Sequence, residues 1–228
     1  MSDPDKPADR RTEEDEARHR ARREEMVRAQ IERRGVRDQR VLAAMRAVPR
    51  HWFVPPRQVD QAYTDQALAI GHGQTISQPY IVASMLELLG LQGTEKVLDV
   101  GAGSGYQTAL LSHLAREVIA IERIPELAEA AAEALRLLGC GNVRVVVGDG
   151  SLGLPEEAPF DAIVVGAGAP EVPRPLVEQL AVGGKLVIPV GDRSLQQLCL
   201  ARKEASGLRV EDGMGCVFVP LVGEHGWS

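Results

Sequence analysis

A short apolar run, Lys96-Val97-Leu98-Asp99-Val100, breaks into Gly101, Gly103 and Gly105 at alternate positions, and a helical pattern resumes over residues 107–114. A strand that enters a glycine-rich turn and leaves as a helix points to a layered α/β fold with the turn at a strand's end. Glycines there let the backbone take positive φ and let a ligand lie against bare main chain, beside the amides of a helix N-terminus. A nucleotide-like ligand is the reading this favours; a tight turn that binds nothing is the competing one for this segment alone.

Spacing narrows the ligand. The dinucleotide fingerprint G-x-G-x-x-G needs a third glycine where this chain has Tyr106. Asp99 stands two residues before the first glycine, where a carboxylate can face the cationic end of S-adenosylmethionine (AdoMet) but would repel a pyrophosphate. Two further acids follow at strand ends. Residues 117–121 read as a second strand ending in Glu122, about 20 residues beyond the turn, where an acid can accept both ribose hydroxyls. Residues 143–147 read as a third, running into Gly148-Asp149-Gly150, which places a carboxylate where it can accept a hydrogen bond from an adenine amino group. Each acid alone is as well read as a surface or capping residue; three at successive strand ends are harder to dismiss.

Ahead of the turn lies QTISQPYIV, residues 74–82, which sets the hydroxyls of Thr75 and Ser77 in front of Pro79. With this block, with VLDVGAGSGYQTALL, and with GDGSLGLPEEAPFDAIVVGAGAPEVP and CVFVPLVGEHGW, the chain closely resembles the protein-L-isoaspartate (D-aspartate) O-methyltransferases from about Met26 to Trp227. The resemblance implies a Rossmann-like AdoMet-dependent fold, AdoMet as methyl donor, S-adenosyl-L-homocysteine as the product left behind, and isoaspartyl-containing proteins and peptides as partners. It implies Ser77 as the acceptor-side hydroxyl with Thr75 in support, and Gly101, Ala102 and Gly103 along the amino-acid and ribose part of the donor. Glu122 matches the family's ribose acid and Asp149-Gly150 its adenine segment. Ile70-Gly71-His72-Gly73 matches a stretch that closes over the donor. The chain departs from the family at Gly168, where an alanine is frequent, and at Cys216, where several relatives carry a basic or bulky residue; both departures concern the peptide-facing surface.

The implied acceptor is the free α-carboxylate of an L-isoaspartyl residue. With a reference pKa near ~3.5 it is already ionised at neutral pH, so no strong base is needed. His72 reads as a loop-shaping residue rather than a base. Ser77 has a second reading as the N-cap of a helix beginning at Pro79.

Composition fits one sizeable α/β domain: 228 residues, 44% hydrophobic and 25% charged. The net charge of −6 argues against a nucleic-acid-binding surface. No apolar stretch approaches the ~18–20 residues of a membrane span and the amino terminus lacks a signal-peptide core, so a cytoplasmic protein is expected, with no membrane partner. Three widely spaced cysteines, Cys140, Cys199 and Cys216, suggest neither a metal site nor a disulfide framework.

Residues 1–23 are rich in Arg, Glu and Asp with no apolar face, and are expected to be disordered or a frayed helix, unpacked in either case. Residues 24–228 are expected to form one domain, with a helical cap and acceptor loop over 24–95 and a doubly wound sheet of about seven strands over 96–228. The fourth and fifth strands are placed at 160–165 and 185–190, and the last two at 196–202 and 216–221.

Overall fold

The computed structural model describes residues 13–228. Helix α1, Glu13–Met26, leads through a π turn and a 3-10 turn to Gly35, whose φ of 106° stops the helical path. The unpacked tail expected over residues 1–23 is therefore corrected for 13–23, while 1–12 lie outside the described residues. His19 and Arg23 are buried; His19 stacks on His51 with ring centroids 3.9 Å apart, and Arg23 Nε donates to the Arg46 carbonyl at 2.5 Å. An apolar face is not the only way to dock a helix: ring stacking and charge-assisted hydrogen bonds hold this one, and neither leaves a hydrophobic stripe in the sequence.

Helix α2, Gln39–Ala47, starts at Asp38, whose carboxylate accepts from the amides of Arg40 and Val41 at 2.8 and 3.3 Å. Two 3-10 turns, Arg50–Phe53 and Pro56–Gln61, carry the chain to an antiparallel hairpin of β1 (Leu68–Gly71) and β2 (Gln74–Ile76). Helix α3, Pro79–Leu89, follows with proline at its first position, where the missing N–H costs nothing.

The main sheet then builds by alternation: β3 Lys96–Val100, α4 Tyr106–Ser112, β4 Glu117–Glu122, α5 Pro125–Leu138, β5 Val143–Val147, β6 Phe160–Val165, α6 Arg174–Gln179, β7 Leu180–Gly191, β8 Gln196–Glu204 and β9 Gly207–Cys216. Its seven strands lie in the order β5-β4-β3-β6-β7-β8-β9, parallel from β5 through β7 and antiparallel from β7 to β9. The chain leaves β3 toward β4 on one side and returns to β6 on the other. That topological switch opens a crevice at the carboxyl ends of β3, β4 and β6.

Successive strand residues serve opposite layers. Val97 packs with α2, α3 and α4 on one face, whereas Leu98 and Val100 pack with Phe160, Leu176 and Leu221 on the other. Each such fully buried aliphatic side chain contributes roughly 1.5–3 kcal/mol, so the central strands are the least mobile platform available to a site.

The expected strand at 216–221 is a correction. The seventh strand is β9, and the chain leaves the sheet after Cys216. β9 carries two internal glycines and two acids and is exposed along nearly its whole length, so it has the composition of a loop. Pairing with β8, not propensity, makes it a strand.

Candidate active site

The turn after β3 rests on a buried carboxylate. Asp99 is fully buried; Thr108 Oγ1 donates to it at 2.6 Å and Gln107 Nε2 at 2.8 Å. Burial, with the nearby Glu122 charge, pushes its carboxyl up to about 6 against the pull of those two hydrogen bonds. Asp99 borders neither cleft beside the turn, contrary to the expectation that it faces the donor's cationic end. Its two donors sit in the first turn of α4, and with the carboxylate fully buried away from both clefts it anchors that helix to the strand beneath the site.

Above it, Gly101, Gly103 and Gly105 take φ of 82°, 54° and 85°, a conformation that strains any side chain. The Gly101 and Ala102 amides both donate to the Ile121 carbonyl, at 2.8 and 3.2 Å. The Gly103 amide donates to Glu122 Oε2 at 2.8 Å and the Ile124 amide to Oε1 at 2.9 Å. Glu122 is 7% exposed and borders an open cleft of about 610 Å³ with Gly101, Gly103, Gly150, Ile124 and Leu221. Each of its oxygens holds one backbone donor and keeps acceptor capacity, which suits two adjacent hydroxyls. The bare glycine backbone with Ile121, Ile124, Leu221 and Val222 beside it gives a nucleoside an apolar seat, with Glu122 and Arg123 as the charged groups at its edge. The residues present fit AdoMet.

Asp149 is placed differently from expectation. Its Oδ1 accepts from the Ser151 amide and hydroxyl at 2.9 and 2.7 Å, and its Oδ2 accepts from the Glu224 amide at 2.8 Å. Burial pushes its carboxyl up, but the bonds from Glu224 and Ser151 outweigh that and hold it below the usual carboxylate range. Of the pair Asp149-Gly150, only Gly150 borders the cleft. Asp149 instead ties down the carboxyl-terminal segment, whose residues Val219–Val222 form a wall of that cleft. The opposite side of this segment is pinned at Gly168: its amide donates to the Val219 carbonyl, and its carbonyl accepts from the Leu221 amide and from Trp227 Nε1 at 3.1 Å. A Cβ at Gly168 would lie 3.0 Å from the buried Gln196 side chain, which accounts for glycine where an alanine is frequent.

The acceptor block lies across from the turn. Thr75 sits on β2, and Ser77 lies between β2 and α3. The helix cap is Gln78, without a side-chain bond, so Ser77 is not the N-cap. No group among the described residues is hydrogen-bonded to its hydroxyl, and its carbonyl accepts from Arg50 Nη2 at 2.8 Å. Thr75 borders the cleft beside Glu122, a second beside Ala102 and Tyr106, and a third beside Gln78, Cys216 and Phe218; Ser77 borders the last two. Of Ile70–Gly73, Ile70 reaches the turn: its Cδ1 lies 3.4 Å from where a Gly103 Cβ would stand. Gly71, His72 and Gly73 form an outward hairpin turn in which His72 takes φ of 51° and stays exposed. This position suits the loop-shaping reading of His72.

Comparison with known proteins places the chain in a family. The sequence model of the protein-L-isoaspartate(D-aspartate) O-methyltransferases matches residues 21–226. The chain belongs to this family. It is 58% identical over 210 residues to protein-L-isoaspartate O-methyltransferase 1 of Rhodopseudomonas palustris, covering 91% of this chain and 86% of that one. It is 52% identical to the protein-L-isoaspartate O-methyltransferase of Methanoculleus marisnigri, covering 92% and 95%. A solved protein-L-isoaspartate O-methyltransferase superposes with a TM-score of 0.82 at 30% identity, covering 90% of this chain and 67% of that one. A Plasmodium falciparum protein described as a family member in complex with S-adenosyl-L-homocysteine superposes at 0.77, also 30% identical, covering 88% and 98%.

Within the family frame, the residues the sequence reading missed are those of the far wall. Gly166 and Ala167 just after β6, Ile124 after Glu122, and Val219–Val222 all border the cleft beside Glu122. Gly166 and Ala167 begin the quoted GAGAP segment at a strand end, a signal of the same kind as the glycine turn. Val219–Val222 had no such signal, because an apolar run at that place reads equally well as a sheet strand.

Proposed function

We propose that the chain repairs damaged proteins by transferring a methyl group from AdoMet to the free α-carboxylate of L-isoaspartyl residues, with Glu122, Gly101 and Gly103 holding the donor and Ser77 and Thr75 the acceptor. The observation that carries this reading is Thr75, which borders the donor cleft, the bridging cleft and the acceptor groove at once. A group transferred between ligands in the outer two passes this residue.

AdoMet supplies, when bound, an electrophilic methyl on a cationic sulfur, so that joining it to an anion neutralises charge. The work left to the protein is alignment and exclusion of water, and alignment of this kind is worth up to roughly 7–11 kcal/mol. Glu122 accepts the ribose hydroxyls on the spare lone pairs of an already anchored carboxylate. Gly101 and Gly103 present main chain without a Cβ, and Ile121, Ile124, Leu221 and Val222 give part of the cleft an apolar wall. Ser77 Oγ–H donates to one acceptor oxygen and Thr75 steadies the second. No side chain removes a proton, because the acceptor arrives ionised.

Among the described residues no helix is long and apolar enough to cross a membrane. With the net charge of −6, this supports a cytoplasmic enzyme that meets proteins rather than nucleic acids.

The test is methyl-labelled AdoMet with a matched pair of peptides, one isoaspartyl and one aspartyl. An isoaspartyl residue has an extra methylene in its main chain and carries its carboxylate directly on Cα, so discrimination rests on placing backbone and carboxylate together. Misplacement by about 1 Å costs on the order of a hundredfold in rate. Label should enter the isoaspartyl peptide and leave as methanol at alkaline pH. Equal labelling of the twins, or a base-stable label, would overturn the assignment in favour of another methyl acceptor on the same donor site.

A further inference from the structure

Arg50 is fully buried at 0% exposure, the largest such side chain among the described residues, and forms no ion pair among them. Its Nε donates to the Ala62 carbonyl and its Nη2 to the Ser77 carbonyl, each at 2.8 Å. Its Nη1 is buried without a partner, and its guanidinium lies 4.8 Å from the Tyr106 ring centroid. The side chains that favour its charge are first Tyr106 and Tyr63, then Asp65, which is itself paired with Arg34 at 2.7 Å. Burial brings the guanidinium down to about 10, which leaves it charged at neutral pH. A buried cation without a carboxylate partner is expensive, and an apolar side chain of similar length would fill the space at lower cost.

The Ser77 carbonyl that Arg50 holds belongs to the same planar unit as the Gln78 amide. The one cis peptide bond among the described residues is Ala158–Pro159, so this unit is trans, and its C=O and N–H point in opposite directions. Drawing the carbonyl toward Arg50 turns the Gln78 N–H away from Arg50, and Gln78 borders the acceptor groove together with Ser77. No group among the described residues accepts a hydrogen bond from the Gln78 amide. A cation bonded to the carbonyl end polarises the peptide and makes its N–H a stronger donor.

We propose that Arg50 is a positioning residue for the acceptor: its buried guanidinium fixes and polarises the Ser77–Gln78 peptide so that the Gln78 N–H and the Ser77 hydroxyl together receive the substrate carboxylate. This rests on the reading of the groove given above. Arg50 itself touches neither ligand, and its charge acts through one peptide unit.

The test compares Arg50→Met and Arg50→Lys with the wild-type chain in peptide KM, kcat, affinity for S-adenosyl-L-homocysteine, and the NMR shift of the Gln78 amide without and with isoaspartyl peptide. Arg50→Met should raise peptide KM by about tenfold or more, the worth of a charge-assisted bond, and move the Gln78 resonance. Its affinity for S-adenosyl-L-homocysteine should stay within about threefold, the cost of one altered packing contact. Arg50→Lys keeps the charge but cannot fork to two carbonyls, and should give an intermediate KM and resonance. A folded Arg50→Met with unchanged KM and an unmoved Gln78 resonance overturns the proposal. Should Arg50→Met fail to fold, Arg50→Lys decides by the same two readouts. A wild-type chain that methylates no isoaspartyl peptide defeats the functional reading, while the Gln78 resonance in the variants still scores the polarisation.

Discussion

The Gly103 amide and the Glu122 carboxylate close a 2.8 Å hydrogen bond at the edge of the cleft they share, tying the turn after β3 to the end of β4. The residue proposed to grip the ribose thus also holds the backbone against which the rest of the donor lies. Glu122→Gln keeps the shape and one acceptor oxygen, and should weaken AdoMet binding by about 1.5–3 kcal/mol for the charge-assisted bond lost. Glu122→Ala should lose more, because it also frees the Gly103 and Ile124 amides. Calorimetric affinity unchanged in folded Glu122→Gln would remove Glu122 from the donor site.

Asp99 makes a pH-dependent contribution of unusual sign for a carboxylate. Its folded-state value of about 6 lies above the ordinary 3.8, so the folded state binds this proton more tightly than the unfolded chain. The resulting stabilisation is complete below about pH 4 and is lost as pH rises through 6, on the order of 2–3 kcal/mol in all. Urea unfolding of the wild type and Asp99→Asn across this window should show the wild type losing stability relative to the variant as pH rises. Parallel curves would mean that Thr108 and Gln107 hold the carboxylate ionised throughout.

Helix α1 is predicted to be part of the folded domain. A chain starting at residue 24 loses the His19–His51 stack and both Arg23 hydrogen bonds, to the Arg46 carbonyl and the Tyr63 hydroxyl. It should be less stable than one starting at residue 13 by on the order of 2–4 kcal/mol, read as a lower melting temperature. Equal melting temperatures would show that these contacts add nothing.

The sheet was legible where local chemistry and tertiary structure agree. β3, β4, β5 and β6 are apolar runs ended by Gly or acid, and their boundaries fall where alternation and turn residues put them. α1 and β9 were not legible because partners rather than composition order them: an arginine on a distant carbonyl in one case, a backbone ladder in the other. The acids show the same limit within the site. Position at a strand end brought Asp99, Glu122 and Asp149 to one edge of the sheet. Which of them turns into the cleft depends on neighbours, and Thr108, Gln107 and Glu224 claim two of the three. Thr75 and Ser77, proposed for the acceptor, were picked out by their motif, whereas Arg50 carried no signal because its target is the backbone of a segment 27 residues away.

Ser77 separates a catalytic contact from a structural one. If its hydroxyl capped α3, Ser77→Ala would cost about 0.5–2 kcal/mol of stability, yet the cap position is Gln78 and the Ser77 hydroxyl bonds to nothing among the described residues. The substitution leaves the carbonyl held by Arg50 in place, so the loop should keep its path and the melting temperature should barely move. Turnover on an isoaspartyl peptide should fall by about tenfold or more for the lost bond to a charged oxygen, while AdoMet affinity stays nearly intact because Ser77 does not border the donor cleft. Stability, turnover and donor affinity measured on the one variant distinguish the roles. A stable protein with wild-type turnover would exclude Ser77 from the acceptor site and leave Thr75 and the backbone amides to hold the carboxylate.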